Sequence, residues 1–301
     1  MISFRYHVVS LVAVMLALAV GVALGGGPLS EIGRGSDSAS EVRKDNERLT
    51  EDLEEARLVA GFQDNFGATL ATSRVARSLN GRSVAVVTLP GADAKLVEAL
   101  SGQVTRAGGT VSGSYALGKT LLNADEGSLV DTLGAQLAET TEDSGVQDGA
   151  ATYLRMGQLI ARAVGSTTPA GVAVDKGARN ILSSLDSASL LSTTTGGDKR
   201  GSLVLVVLGD ELTGDGLDKL LGALVTGLTN GTNGVVVAGE TDSTTLSALR
   251  DDSAVTEVAS SVDSVQTRAG QLATVLALAA EGDGGPGHYG VHGNDGAVPR
   301  G

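Results

Sequence analysis

Seventeen consecutive residues, Val8 to Leu24, carry no charged side chain, and Ser10 is their one clearly polar member. Removing Val, Leu, Ala and Met from water is favourable, and no ionised group in the run opposes it, so the segment belongs in or across a membrane. Seventeen residues is the short end of the spanning range. With Gly25–Leu29 reaching the interface, residues 1–29 are expected to form an uncleaved transmembrane helix that anchors the chain. The competing reading is a cleaved secretory signal, since Ala23 and Gly25 suit the cleavage positions, although the apolar core is longer than such signals usually have. Arg5 before the run, with Glu31 and Asp37 after it, fits an N-terminus left inside and an extracytoplasmic C-terminal domain.

Composition bounds what the exported part does. Lys and Arg number 22 against 35 Asp and Glu, a net charge of −13, so unopposed phosphate repulsion argues against nucleic acid as a partner. Cysteine is absent, which removes disulfides, thiolate metal ligands and thiol nucleophiles together. The 301 residues must therefore fold on an apolar core, and with three Phe, four Tyr and no Trp that core is Val, Leu and Ala. The same scarcity of aromatics speaks against a transmembrane β-barrel, whose interfaces carry aromatic girdles.

Residues 30–40 are rich in Gly and Ser and read as a flexible linker. Residues 41–60, EVRKDNERLTEDLEEARLVA, have high helix propensity. Asn46, Leu53 and Ala60 fall at heptad position a, and Val42, Leu49 and Ala56 at d, which predicts a short parallel coiled coil and a homo-oligomer. The alternative is a single amphipathic helix lying on the globular domain. Three heptads with two Ala in the seam are marginal by themselves.

From 61 to 280 the pattern alternates. Ser83–Leu89, Thr110–Leu117, Leu203–Leu208 and Val235–Ala238 read as strands, the last two as buried ones. Helices are expected over Ala92–Ala107, Ser128–Glu139, Ala151–Val164, Lys176–Leu190 and Gly216–Leu228. Val258–Val265 reads as an edge strand, and Gly270–Ala280 as a buried helix or strand. Apolar strands separated by amphipathic helices imply an α/β domain of three layers, Rossmann-like, with a mostly parallel sheet covered on both faces. The Gly-rich residues 281–301 read as a flexible tail.

Chemistry is sparse. Neither PGADAK after Leu89 nor GDELTGDG after Leu208 matches a dinucleotide or P-loop phosphate cradle, so no cofactor is implied by motif. Asp210, Glu211, Asp215 and Asp218 cluster past the LVLVVL strand, where open α/β sheets place ligands; they form either a hard-cation site or an ordinary acidic helix start capped by Asp215. No histidine sits where a catalytic base belongs, and no Ser-His-Asp or Cys-His set assembles, so the chain reads as a non-enzyme with no catalytic residues. His288 and His292, in H-Y-G-V-H with Asp295 nearby, are the one pair suited to copper or zinc. A solvated Gly-rich tail is the plainer reading of the same residues.

The opening M-I-S-x-R-x-H, followed by V-S-L and an apolar run to G-V-x-L-G, resembles the mycobacterial copper transport protein B family (MctB) of actinobacterial envelope proteins. The resemblance extends, in order of parts, through the charged helix to the ending LATVLALAAEGDGGPGHYGVHG. It implies a membrane-anchored cell-envelope protein with a part in copper transport and copper homeostasis, of a family described as an outer-membrane channel. It carries over no ligand set. Copper(I) favours Cys and Met, and outside the anchor and the initiator only Met156 remains. Two readings follow: an oligomer that moves or buffers copper, or a non-catalytic envelope scaffold binding a cell-wall or cell-division partner.

Overall fold

The computed structural model describes residues 4–24, 29–209, 214 and 216–299; side chains at 4–9, 22–24, 29–41, 68, 70 and 72 lie outside the described set. The chain divides into two units, Met1–Gln63 and Asp64–Gly301.

The first unit is helical. Helix α1 covers Phe4–Leu24, and α2 covers Leu29–Val75 and so runs on into the second unit. In α1 the described side chains are those of 10–21, and Leu11, Val14, Met15 and Leu18 are exposed. Among the described residues no helix is long and apolar enough to cross a membrane.

Two expectations are corrected by α2. Residues 30–40 are helical rather than a loose linker, and the helix does not stop at 60. Gly33 and Gly35 each disfavour a helix by about 1 kcal/mol, but no proline interrupts 29–75, and the strongly helical 41–60 next to them favours propagation over new nucleation. Val42, Leu49 and Leu53 of the heptad seam are exposed. Beyond Ala60 the next d and a positions are Gln63 and Gly67, so the seam ends while the helix continues.

The second unit alternates β1 (Ser83–Thr88), α3 (Ala94–Arg106), β2 (Thr110–Leu117), α4 (Gly127–Thr140), α5 (Thr152–Val164), β3 (Val172–Ala173), α6 (Lys176–Ser187), β4 (Leu191–Gly196), β5 (Lys199–Arg200), β6 (Leu203–Val207), α7 (Leu217–Leu228), β7 (Val235–Ala238), α8 (Thr244–Arg250), α9 (Ser253–Thr256), β8 (Ser260–Val262), α10 (Arg268–Gly284) and β9 (His288–Tyr289). Seven strands form one sheet in the order β4-β2-β1-β6-β7-β8-β9, parallel except for β4, and β3 pairs with β5 separately. The expected α/β class with a mostly parallel sheet is what the chain adopts.

Strand periodicity divides the core. Ala85, Val87, Val204, Val206, Val235 and Val237 face one apolar cluster with α4 to α9, while Val84, Val86, Leu203, Leu205, Val207 and Val236 face another with α3 and α10. These strands are buried on both faces, which is why they read as unbroken apolar runs. On the first face α5 and α7 meet at Gly157 and Gly227: a Cβ on Gly227 would lie 2.4 Å from the Leu154 carbonyl oxygen, so the two backbones touch. On the second, Asp64 accepts hydrogen bonds from the Arg268 and Ala269 amides, capping α10.

The C-terminal region departs most from expectation. Val258–Val265 supplies β8, but β9 pairs outside it in parallel, Ser261 with His288 and Val262 with Tyr289, so β8 is not an edge. Residues 281–299 are therefore not a loose tail. The end of α10 and strand β9 lie within 281–289, and Arg74 donates to the Pro299 carbonyl at 3.1 Å.

Candidate functional site

Polar side chains gather where the C-terminal ends of β7 and β8 leave the sheet, a position at which parallel sheets commonly place ligands. Asp263 follows β8 directly and is 1% exposed. The next residue, Ser264, takes φ +63, a left-handed conformation that costs a non-glycine residue about 1–2 kcal/mol. Its hydroxyl donates to Asp263 Oδ1 at 2.7 Å.

Four donors converge on the Asp263 carboxylate. Beside Ser264 these are Arg250 Nη1 at 2.7 Å, the Val291 amide at 2.6 Å and the His292 amide at 2.9 Å. Burial alone would raise the Asp263 pKa, but bonds from Ser264, Arg250 and the two amides outweigh it and hold the carboxyl below its ordinary value. Arg250, at the end of α8, has 12% of its side chain exposed. It also donates through Nε to Ser261 Oγ and through Nη2 to the Tyr289 carbonyl, both at 2.7 Å. Gly290 passes this centre at φ +118, and a Cβ there would come within 2.3 Å of Asp263 Oδ1, so the path admits only glycine. One buried ion pair thus ties α8, β8, β9 and the chain beyond β9.

His288 is part of that lattice. Its Nδ1 shares a 3.0 Å hydrogen bond with Ser261 Oγ, which also accepts from Arg250 Nε. The ring also bonds the Thr256 backbone. Burial first, and the Arg250 charge as well, depress the His288 pKa against the opposing pull of Asp295 and the Thr256 bond. Both ring nitrogens are engaged, and the His288 backbone amide donates to Asp295 Oδ2 at 2.7 Å.

His292 is placed differently. Its backbone is fixed by Asp263, and its exposed side chain lines a cleft of about 440 Å³ shared with Glu240, Asp242, Asp251, Arg250 and Asn294. Three exposed rim carboxylates against one arginine that Asp263 already neutralises give the cleft an electronegative mouth.

The two histidines therefore do not form a preformed pair: one is locked in hydrogen bonds and the other faces a cleft. Among the described residues no group of three or more His, Asp and Glu side chains converges to hold a metal ion. Met156 is fully buried in the core and unreachable. Of the acidic cluster, Asp218 lies in the first turn of α7, while Asp210, Glu211 and Asp215 lie outside the described residues. The N-cap of α7 is Gly216, without a side-chain cap. What sequence reading missed was the Arg250–Asp263 centre. Its members stand far from the histidines along the chain, and no local spacing links them.

The family described as copper transport outer membrane protein, MctB, matches residues 1–299. The copper transporter MctB of Mycobacterium tuberculosis (strain ATCC 25618 / H37Rv) is 28% identical over 311 residues, covering 97% of this chain and 96% of that protein. That of Mycobacterium leprae (strain TN) is 29% identical over 313 residues, with the same coverage.

Proposed function

This chain belongs to the MctB family of copper transport outer membrane proteins, and from that premise we propose that it handles copper in the cell envelope, anchored by α1 with its α/β domain outside the cytoplasm. The match over residues 1–299 carries the reading. The anchor rests on the uncharged run Val8–Leu24, which extends past both ends of the described side chains. As a helix of 21 residues α1 is about 30 Å long, the thickness of a bilayer's hydrocarbon.

Copper is cargo on this reading, not a resident cofactor. The electronegative cleft draws a cation in, and the exposed His292 imidazole is the one nitrogen there suited to copper. His288 is not among the residues lining that cleft, and its Nδ1 becomes a ligand only by giving up Ser261. A weak, rapidly exchanging contact suits transfer better than storage. Copies gather through the seam of Asn46, Leu49 and Leu53 on α2.

The test is copper flux into liposomes carrying the full-length protein, against protein lacking residues 1–40. Copper-selective flux that requires the anchor and falls in His292→Ala supports the reading. Inserted, folded protein without flux removes it and leaves a second reading, an envelope scaffold. That alternative is favoured by the lack of converging metal ligands among the described residues and by the exposed apolar seam of α2.

A further inference from the structure

A second polar cleft, of about 320 Å³, is lined by the last turn of α5, the loop 165–168 and β5. Its chemistry is the opposite of the first. Arg162 and Arg200 line it with Ser166, Thr167, Thr168 and Asn230, and among the described residues no carboxylate lines it, in a chain whose net charge is −13.

The two arginines share a single counter-ion. Asp175 Oδ2 lies 3.0 Å from Arg162 Nη2 and 3.4 Å from Arg200 Nη2, and its Oδ1 is already used to cap α6 at the Ala178 amide. Backbone carbonyls take some of the remaining donors: Arg162 Nε bonds Asp143 and Arg200 Nη1 bonds Arg162. Arg162 Nη1 and Arg200 Nε are buried with no partner. The Arg162 and Arg200 side chains are only 17% and 18% exposed, so the two guanidinium groups are held largely out of water, while the Asp175 side chain that bridges them is 42% exposed. Burial, and next the Arg162 charge, push the Arg200 pKa down, with Asp175 pulling the other way. An uncompensated, poorly hydrated cation with orphaned N–H groups is costly unless an acceptor arrives.

We propose that this cleft binds a phosphate group, held by the Arg162 and Arg200 forks and by the hydroxyls of the 166–168 loop. A tetrahedral, acceptor-only oxyanion satisfies planar donors arriving from two directions. The cleft also leaves room for a substituent, so the source is either free phosphate or the phosphomonoester end of a larger molecule. The assignment does not use the copper reading, and either can fail without the other.

The test is calorimetric titration of detergent-solubilised full-length protein, free of copper, with inorganic phosphate, glycerol 3-phosphate and acetate. The expected result is saturable phosphate binding that weakens as salt rises and drops at least about tenfold in Arg200→Gln. Tighter binding of glycerol 3-phosphate identifies the ester as the source, and equal binding identifies the free ion. Arg200→Lys keeps the charge but loses the fork, and a comparable loss there assigns the contact to geometry. Absence of binding to folded wild-type protein at millimolar phosphate, or acetate binding as tightly as phosphate, overturns the proposal. The wild-type titration decides the matter even where a variant fails to fold.

Discussion

Two buried carboxylates of the α/β domain behave in opposite ways with pH. Glu281 accepts from the Ser260 amide at 2.5 Å, yet burial dominates and pushes its pKa from 4.5 up to about 7. A raised folded pKa means the native state holds a proton the unfolded chain has released. The stabilisation is complete below pH 4.5 and is lost as pH rises through about 7, amounting to roughly 3 kcal/mol at most. Glu281→Gln is expected to flatten the stability profile across that window, measured by urea unfolding at successive pH values. Asp263 has a depressed pKa, so its contribution is present above the ordinary 3.8 and disappears as pH falls through the folded value. Asp263→Asn leaves Arg250 buried without a counter-charge. The expected cost is about 3 kcal/mol, with faster amide exchange at Val291 and His292; unchanged exchange there would show that the carboxylate does not hold the chain beyond β9.

Elements were legible in the sequence where burial is uniform and local. The runs SVAVVT, LVLVV and VVVA became β1, β6 and β7 because central parallel strands are apolar on both faces. Strand β4, LSTTTG, escaped notice because five of its six residues are exposed, leaving no apolar pattern to read. Glycine misled in two places. In 30–40 it suggested a linker where α2 begins, and in 281–299 it suggested disorder where Asp263, a residue more than two dozen positions upstream, fixes the backbone. The spacing of His288 and His292 was readable, but their separate environments depend on Ser261 and Arg250, which only tertiary pairing brings near. Glycines elsewhere in the domain are where an element can be broken by one methyl. Gly227→Ala drives a Cβ into the α5 backbone and is expected to lower stability by about 1–3 kcal/mol, seen as a reduced thermal midpoint. Gly81→Ala has open space around it but a φ of +74, so its cost is backbone strain of about 1 kcal/mol without any separation of helices.

At the scale of the whole molecule both apolar clusters and both polar clefts lie in the second unit. Residues 64–301 contain both apolar clusters and the Asp64 cap of α10, so they are expected to fold without the preceding helix and to keep the domain's circular dichroism. Deleting 1–40 is expected to shift the protein from the membrane fraction to the soluble one while leaving α10 and the sheet unchanged. The centre of that sheet also sets a clock. Strand β1 lies beside β6, and Ser83 bonds Ser202 across 119 positions of sequence. At a synthesis rate of about 5–20 residues per second, the partner of β1 reaches it on the order of ten seconds late, and β9 later still. Throughout that interval the nascent sheet lacks its middle strand, and β1 has only its β2 side to pair with.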